Sequence, residues 1–153
     1  MKNTTLCYIE RDGAYLMLHR VKKKNDENHD KWIGIGGKFE VAETPYECMR
    51  REIFEETGLT ANSLFYRGII TFVSDQYGTE YMHLFTCDSF SGEMKQNCDE
   101  GELLWIDKRK IEELPIWEGD KIFFRLLDSE KRFFSLKLEY EGDNLISHSI
   151  EYR

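Results

Sequence analysis

Between Gly36 and Leu59 the chain combines a glycine pair, a helix start and a dense set of acidic residues near one short helix. Thr44-Pro45-Tyr46-Glu47 reads as the helix start. Thr44 fits the N-cap, Pro45 the first helical position, and Glu47 closes a capping box. The helix is expected to reach about Thr57, and Gly58 fits the left-handed residue that ends it. At ~100° per residue, with Glu52 as origin, Glu56 falls near +40° and Glu55 near −60°. Met49, Ile53 and Tyr46 fall between about +60° and +120°, so the acidic face borders the buried one. Carboxylates held there are half-shielded from water, where like charges are costly. A hard cation such as Mg2+ or Mn2+ would relieve that cost. Arg51 lies four residues from both Glu47 and Glu55 and can pair with either. An ordinary solvated acidic face is the competing explanation of such a triplet taken alone.

The rest of the chain reads as short strands with few helices. Thr4–Glu10 and Ala14–Arg20 are strand-like, with Asp12-Gly13 as a hairpin signal between them. Lys22–Lys31 is a polar loop. Trp32–Ile35 is a short apolar strand expected to end at Gly36-Gly37, and Phe39–Glu43 is loop. Leu64–Ser74 and Glu80–Phe90 are long strands, and Leu103–Ile106 is a shorter one. Lys108–Leu114 is a short helix stopped by Pro115. Asp120–Asp128 is an amphipathic helix, with Ile122, Phe123, Leu126 and Leu127 on its apolar side. Arg132–Tyr140 and Leu145–Tyr152 are strands. This mixed order favours an α+β layered domain over an alternating doubly wound one.

A chain of 153 residues suits one domain, spanning residues 1–153. With 21 basic and 29 acidic residues the net charge is 21 − 29 = −8, which repels nucleic acid polymers. The short basic run is Arg20–Lys24 with a break at Val21. An anionic substrate would therefore need a bound cation. Cys7, Cys48, Cys87 and Cys98 match no zinc or CxxC spacing, so reduced thiols and a cytoplasmic location are expected. Met1–Glu10 is too short and polar for a secretory leader, and no apolar run approaches the ~20 residues of a membrane span.

The full spacing is Gly37, five residues, Glu43, seven residues, Arg51-Glu52, Ile53, one residue, Glu55-Glu56, one residue, Gly58, Leu59. It resembles the complete Nudix box without a departure. The resemblance implies a Nudix fold, a mixed β-sheet sandwiched between helices (α/β/α), and hydrolysis of a nucleoside diphosphate linked to another group. It implies Mg2+, with Mn2+ as a substitute, held by Glu52, Glu55, Glu56 and the carbonyl of Gly36. Arg51 would orient the glutamates, Glu43 would support loop and helix, and Gly58 would be structural.

Lys31-Trp32-Ile33-Gly34-Ile35-Gly36-Gly37-Lys38 is similar to the segment that leads into the box in MutT-type enzymes, which remove 8-oxo-dGTP. Glu43-Thr44-Pro45 and Trp117-Glu118-Gly119-Asp120 are most similar to Gram-positive bacterial members. By position, Glu100 matches a glutamate that reaches the metals from outside the box, as ligand or base; a loop acid is the alternative. Trp117 and Asp120 suggest a base pocket, against a core tryptophan and a helix cap. Phe72 is a candidate second wall. Arg20, Lys38 and the glycine backbone at Gly37 flank the expected phosphates. Two positions depart from the animal enzyme of this class, which has asparagine in place of Ile33 and two adjacent aspartates where this chain has Gly119-Asp120. Base recognition is thus expected to differ in detail, or another nucleotide, nucleotide sugar or dihydroneopterin triphosphate to be preferred. A non-catalytic binding module is disfavoured, because such modules commonly lose box glutamates. A monomer or a homodimer is expected.

Overall fold

The computed structural model describes residues 1–21 and 27–153. The first half of the expected polar loop, including the three lysines of the basic run, lies outside the described residues. Strands β1 (Lys2–Arg11) and β2 (Ala14–Arg20) form the expected hairpin. Asp12 and Gly13 turn it with φ of 52° and 77°, the both-positive geometry that matches strand twist. The elements that follow are β3 (Trp32–Ile33), β4 (Ile35–Lys38), α1 (Pro45–Thr57), β5 (Thr60–Ala61), β6 (Phe65–Ser74) and β7 (Gly78–Cys87). Then come β8 (Phe90–Ser91), β9 (Asn97–Cys98), β10 (Gly101–Asp107), a 3-10 helix (Lys108–Glu113), α2 (Asp120–Ser129), β11 (Phe134–Glu141) and β12 (Asn144–Tyr152).

The main sheet runs β12-β11-β6-β7-β1-β2-β10-β9, with β4 paired to β1 and β3 to β2. It is mixed: β1 with β7 and β11 with β6 are parallel, and the other pairs are antiparallel. One edge of β1 pairs with β4 at Thr4–Cys7 and with β2 at Glu10–Arg11, so the sheet forks there. Side chains alternate across β1 and β2. Cys7, Ile9, Leu16 and Leu18 pack with Met49 and Ile53 of α1 on one face. Leu6, Tyr8, Tyr15 and Met17 pack with Phe123, Phe124 and Leu127 of α2 on the other. Both faces are covered, which is why β1 reads as a continuous apolar run from Leu6 to Ile9.

The fold is the expected Nudix arrangement of a mixed sheet flanked by helices. Several boundaries differ: the strand expected over Glu80–Phe90 ends at Cys87, with Phe90–Ser91 a separate strand, and β5, β8 and β9 carried no signal in the sequence. The difference that shapes the site is at the glycines. The glycine pair does not end a strand: β4 runs through Gly36 and Gly37 to Lys38, while the chain breaks pairing at Gly34. The cause is steric. A Cβ on Gly36 would stand 1.8 Å from the Thr5 carbonyl oxygen of β1, so only glycine lets the two strands approach. All four cysteines are free thiols, and no helix among the described residues is long and apolar enough to cross a membrane.

Candidate active site

Helix α1 is locked in rotation at both ends. Thr44 Oγ1 accepts from the Glu47 amide at 3.1 Å, and Glu47 Oε1 accepts from the Thr44 amide at 2.9 Å. Gly58, with φ of 80°, closes the C-terminus, its amide donating to the Phe54 carbonyl. Gly58 therefore supports the helix and lies away from the cleft lining. Glu47 is spent on the cap, so Arg51 pairs towards Glu55 instead.

Arg51 is the hub of the acidic face. Its Nε and Nη2 donate to Glu43 Oε2 and Oε1 at 2.7 and 2.9 Å, and Nη2 also donates to the Lys38 carbonyl at 3.0 Å. Nη1 donates to Glu52 Oε1 at 2.8 Å and Glu55 Oε2 at 3.0 Å. One guanidinium thus ties together the loop after β4 and two helix glutamates, a bidentate geometry that lysine could not supply. The Arg51 donors, and then the Glu40 amide, hold the Glu43 carboxyl down to about 2.

The three helix glutamates differ in depth, as their angles on the helix imply. Glu55 is the outermost, its side chain 54% exposed. Glu52 is half-buried; burial raises its pKa, Arg51 offsets part of this, and Glu55 and Glu100 add to it. Glu56 is buried, and its Oε2 accepts from the Gly36 amide at 2.9 Å. Burial, then the adjoining Glu100 carboxyl, then Glu52, drive the Glu56 pKa strongly upward. Gly36 thus meets Glu56 through its N–H. Gly37 clears room for Glu52: a Cβ there would stand 2.6 Å from Glu52 Oε1.

Glu100, just before β10, does reach this cluster. Its Oε2 is buried and 3.3 Å from Arg20 Nη1, an ion pair whose angles fall short of a hydrogen bond. Among the described residues no three His, Cys, Asp or Glu side chains stand as a preformed metal-ligand set. The donor chemistry nevertheless fits a hard divalent cation. Glu52, Glu56 and Glu100 crowd together, with the carboxyl pKa raised, by burial first and then by neighbouring carboxylates, at Glu52 and Glu56 and an oxygen lacking a hydrogen bond at Glu100.

A cleft of about 680 Å³ opens from this acidic end. Glu52, Glu55, Glu100, Arg20 and Lys38 line one end, with Gly36, Gly37 and Arg51. Phe72, Trp117, Asp120 and Ile33 line it too, so both groups of expected site residues share one cavity. Glu56 lies beneath this surface, and Glu43 stands behind Arg51.

Trp117 and Phe72 are both core and wall: each is nearly buried, and their rings meet edge-on at 5.2 Å. Asp120 is not the cap of α2. Gly119 occupies that position, without a side-chain cap bond, and Asp120 is the first helical residue. Burial raises the Asp120 carboxyl to about 8, and Lys31 draws it partly back. It is therefore a neutral acid at pH 7, able to donate a hydrogen bond. Asn28 and Tyr8 are among the cleft residues that were not legible in the sequence. Asn28 Oδ1 accepts from Trp117 Nε1 at 2.7 Å and fixes the indole. Tyr8 reads as a core strand residue, yet it lines the cleft. Lys31 Nζ stands 4.5 Å from the centre of the Trp117 ring, a cation–π contact that also holds the indole.

Comparison with known proteins agrees with this geometry. The family profile described as NUDIX domain matches residues 2–127. The oxidized purine nucleoside triphosphate hydrolase of Danio rerio is 34% identical over 154 residues, covering 98% of this chain and 94% of that one. An uncharacterized Nudix hydrolase of Bacillus subtilis is 30% identical, covering 78% of this chain and 75% of its own. The crystal structure of the MutT protein from Bacillus halodurans superposes with a TM-score of 0.86 at 28% identity, covering 99% and 98% of the two chains. With the box residues gathered at one cleft, the chain belongs to the Nudix family and is a Nudix hydrolase of the MutT type.

Proposed function

We propose that the chain is a Mg2+-dependent nucleoside triphosphate pyrophosphohydrolase whose preferred substrate is 8-oxo-dGTP, cleaved to 8-oxo-dGMP and pyrophosphate. The observation that carries this reading is the single cleft joining a carboxylate end to an aromatic end with a neutral carboxyl. The acidic end suits a triphosphate with its metal, and the other suits a purine. Relatives named oxidized purine nucleoside triphosphate hydrolase support the choice of base.

Glu52, Glu56 and Glu100, with Glu55 and the Gly36 carbonyl, are the residues that would hold Mg2+ or Mn2+. Such an ion neutralises the polyphosphate and lowers the pKa of a bound water. Arg51 keeps Glu52 and Glu55 from swinging away. Arg20 and Lys38 contact phosphate oxygens as charge-assisted donors. A carboxylate, Glu56 or Glu100, takes the proton of the attacking water. The new bond forms from water to the β-phosphorus, and the bridging oxygen leaves on the α-phosphate of the monophosphate. Trp117 stacks on the base, and Asp120 donates to its edge. Nucleotide pool sanitation in the cytoplasm, by one 153-residue domain, is the corresponding cellular role.

The test is product analysis. With Mg2+ and 8-oxo-dGTP, the reading predicts monophosphate plus pyrophosphate; diphosphate plus orthophosphate would contradict it. A second reading, hydrolysis of another nucleotide derivative, is favoured by Ile33, which lines the cleft and offers a base no hydrogen bond. Faster turnover of an ordinary triphosphate, a nucleotide sugar or dihydroneopterin triphosphate would select it.

A further inference from the structure

The floor of the cleft is the sheet face that also packs on α2. Lys2, Thr4 and Leu6 of β1, Glu80 and Met82 of β7, and Phe72 of β6 line it. In the antiparallel β6–β7 pair, Glu80 stands directly opposite Phe72. Residues so paired hold their Cβ atoms about 4.5–5.5 Å apart. Glu80 is therefore the polar neighbour of the Phe72 ring, and on its other side β1 sets Lys2 opposite it.

The Glu80 side chain keeps 14% of its surface exposed, so a ligand in the cleft can reach it. Thr4 Oγ1 donates to its Oε2 at 2.7 Å and fixes the carboxylate. Lys2 Nζ lies 3.8 Å from Oε1, an ion pair too long for a hydrogen bond, and the same ammonium lies 3.4 Å from Glu27. A carboxylate accepts hydrogen bonds and donates none, and Oε1 keeps acceptor capacity among the described residues. The other side chains at this end offer a donor less. Asn28 Oδ1 is spent on the indole of Trp117, Asp120 is a neutral acid that donates, and Ile33 has no polar atom.

We propose that the Glu80 carboxylate accepts a hydrogen bond from the 2-amino group of a guanine-type base and selects it over purines that lack this group. This rests on the purine-nucleotide reading of the cleft. Phe72 is a wall for the base, so the polar group beside it meets the base before the sugar. Guanine carries the 2-amino donor; adenine does not. Asp120 and Glu80 then act as complements, one donating to the base edge and one accepting from it. The bond to Glu80 is charge-assisted, and a base without the donor leaves a desolvated acceptor unpaired.

The test is calorimetric titration of wild type and Glu80→Met with three ligands: 8-oxo-dGMP, the matching 8-oxo-deoxyinosine monophosphate without the 2-amino group, and pyrophosphate. Thermal melting accompanies it. Wild type is expected to bind the guanine nucleotide about tenfold more tightly than the inosine one. In Glu80→Met that ratio should fall to within about twofold, with pyrophosphate affinity unchanged. An equal ratio in the two proteins would overturn the proposal and leave the reading of the cleft intact. A loss shared alike by both purines, with pyrophosphate unchanged, would also overturn it and move the contact to the sugar. Equal losses for all three ligands with a lowered Tm would overturn it in favour of a structural role. A wild type that binds neither purine monophosphate would overturn the reading and the proposal together.

Discussion

Arg51 Nε and Nη2 grip the two carboxylate oxygens of Glu43 at 2.7 and 2.9 Å, while Nη1 of the same guanidinium holds Glu52 at 2.8 Å. The loop after β4 and the carboxylate helix are thereby clamped by one planar group. Glu43 sits at about 2, against an ordinary 4.5, because Arg51 favours its charged form. A lowered carboxyl pKa gives stability that is present above 4.5 and lost as pH falls towards 2. The Tm gap between wild type and Glu43→Gln should therefore be widest near neutrality and close across that window. Melting curves from neutral to acid pH check it, and a constant gap contradicts the clamp.

Glu56→Gln keeps an acceptor for the Gly36 amide and removes a buried negative charge from beside Glu100. The fold should survive, with an undiminished Tm in the absence of metal. Turnover should fall by about a thousandfold, as expected when a metal-binding or proton-accepting carboxylate is lost. Activity within threefold of wild type, measured by pyrophosphate release, would sink the assignment.

Asp120, raised to about 8 by burial, faces Lys31, Tyr8 and Tyr140. Its neutral form donates to a base, so purine affinity should fall as pH rises through about 8. Asp120→Asn keeps a neutral donor and should flatten that dependence. A raised carboxyl pKa also makes the folded state lose stability between 3.8 and about 8. Across that window the Tm of Asp120→Asn should climb relative to wild type. Parallel titration and melting series read both effects.

Trp117→Ala should weaken purine nucleotides by about tenfold or more, since stacking on an aromatic ring contributes on the order of 1–3 kcal/mol per base. Pyrophosphate inhibition should not change. Because the ring is also core, Tm will drop. Asn28→Ala isolates the orientation of the indole, as it removes only the acceptor of Trp117 Nε1. A rise in KM with kcat unchanged is expected from it; a fall in kcat alone would argue against a role in base binding.

The carboxylate helix was legible because its determinants are local. Thr44, Pro45, Glu47 and Gly58 set its ends, and the angular positions of Glu52, Glu55 and Glu56 follow from helix geometry alone. The graded depth of those glutamates follows from the same angles. The path of β4 through Gly36 and Gly37 was not legible, since it depends on contact with Thr5, thirty-odd residues away. Asp120 looked like a cap because aspartate favours caps, but Gly119 takes that place and frees the carboxyl. Tyr8 and Asn28 carry no local signal, because an aromatic in a strand and an asparagine in a loop are ordinary until the tertiary fold sets them at the cleft.

The most direct test of the central claim is the ratio of kcat/KM for 8-oxo-dGTP and dGTP with Mg2+, read by pyrophosphate release. The account predicts a large preference for the oxidised nucleotide, with Trp117 and Asp120 reading the base despite Ile33. Equal or negligible rates for both would contradict it, leaving a Nudix hydrolase whose substrate lies elsewhere among nucleotide derivatives.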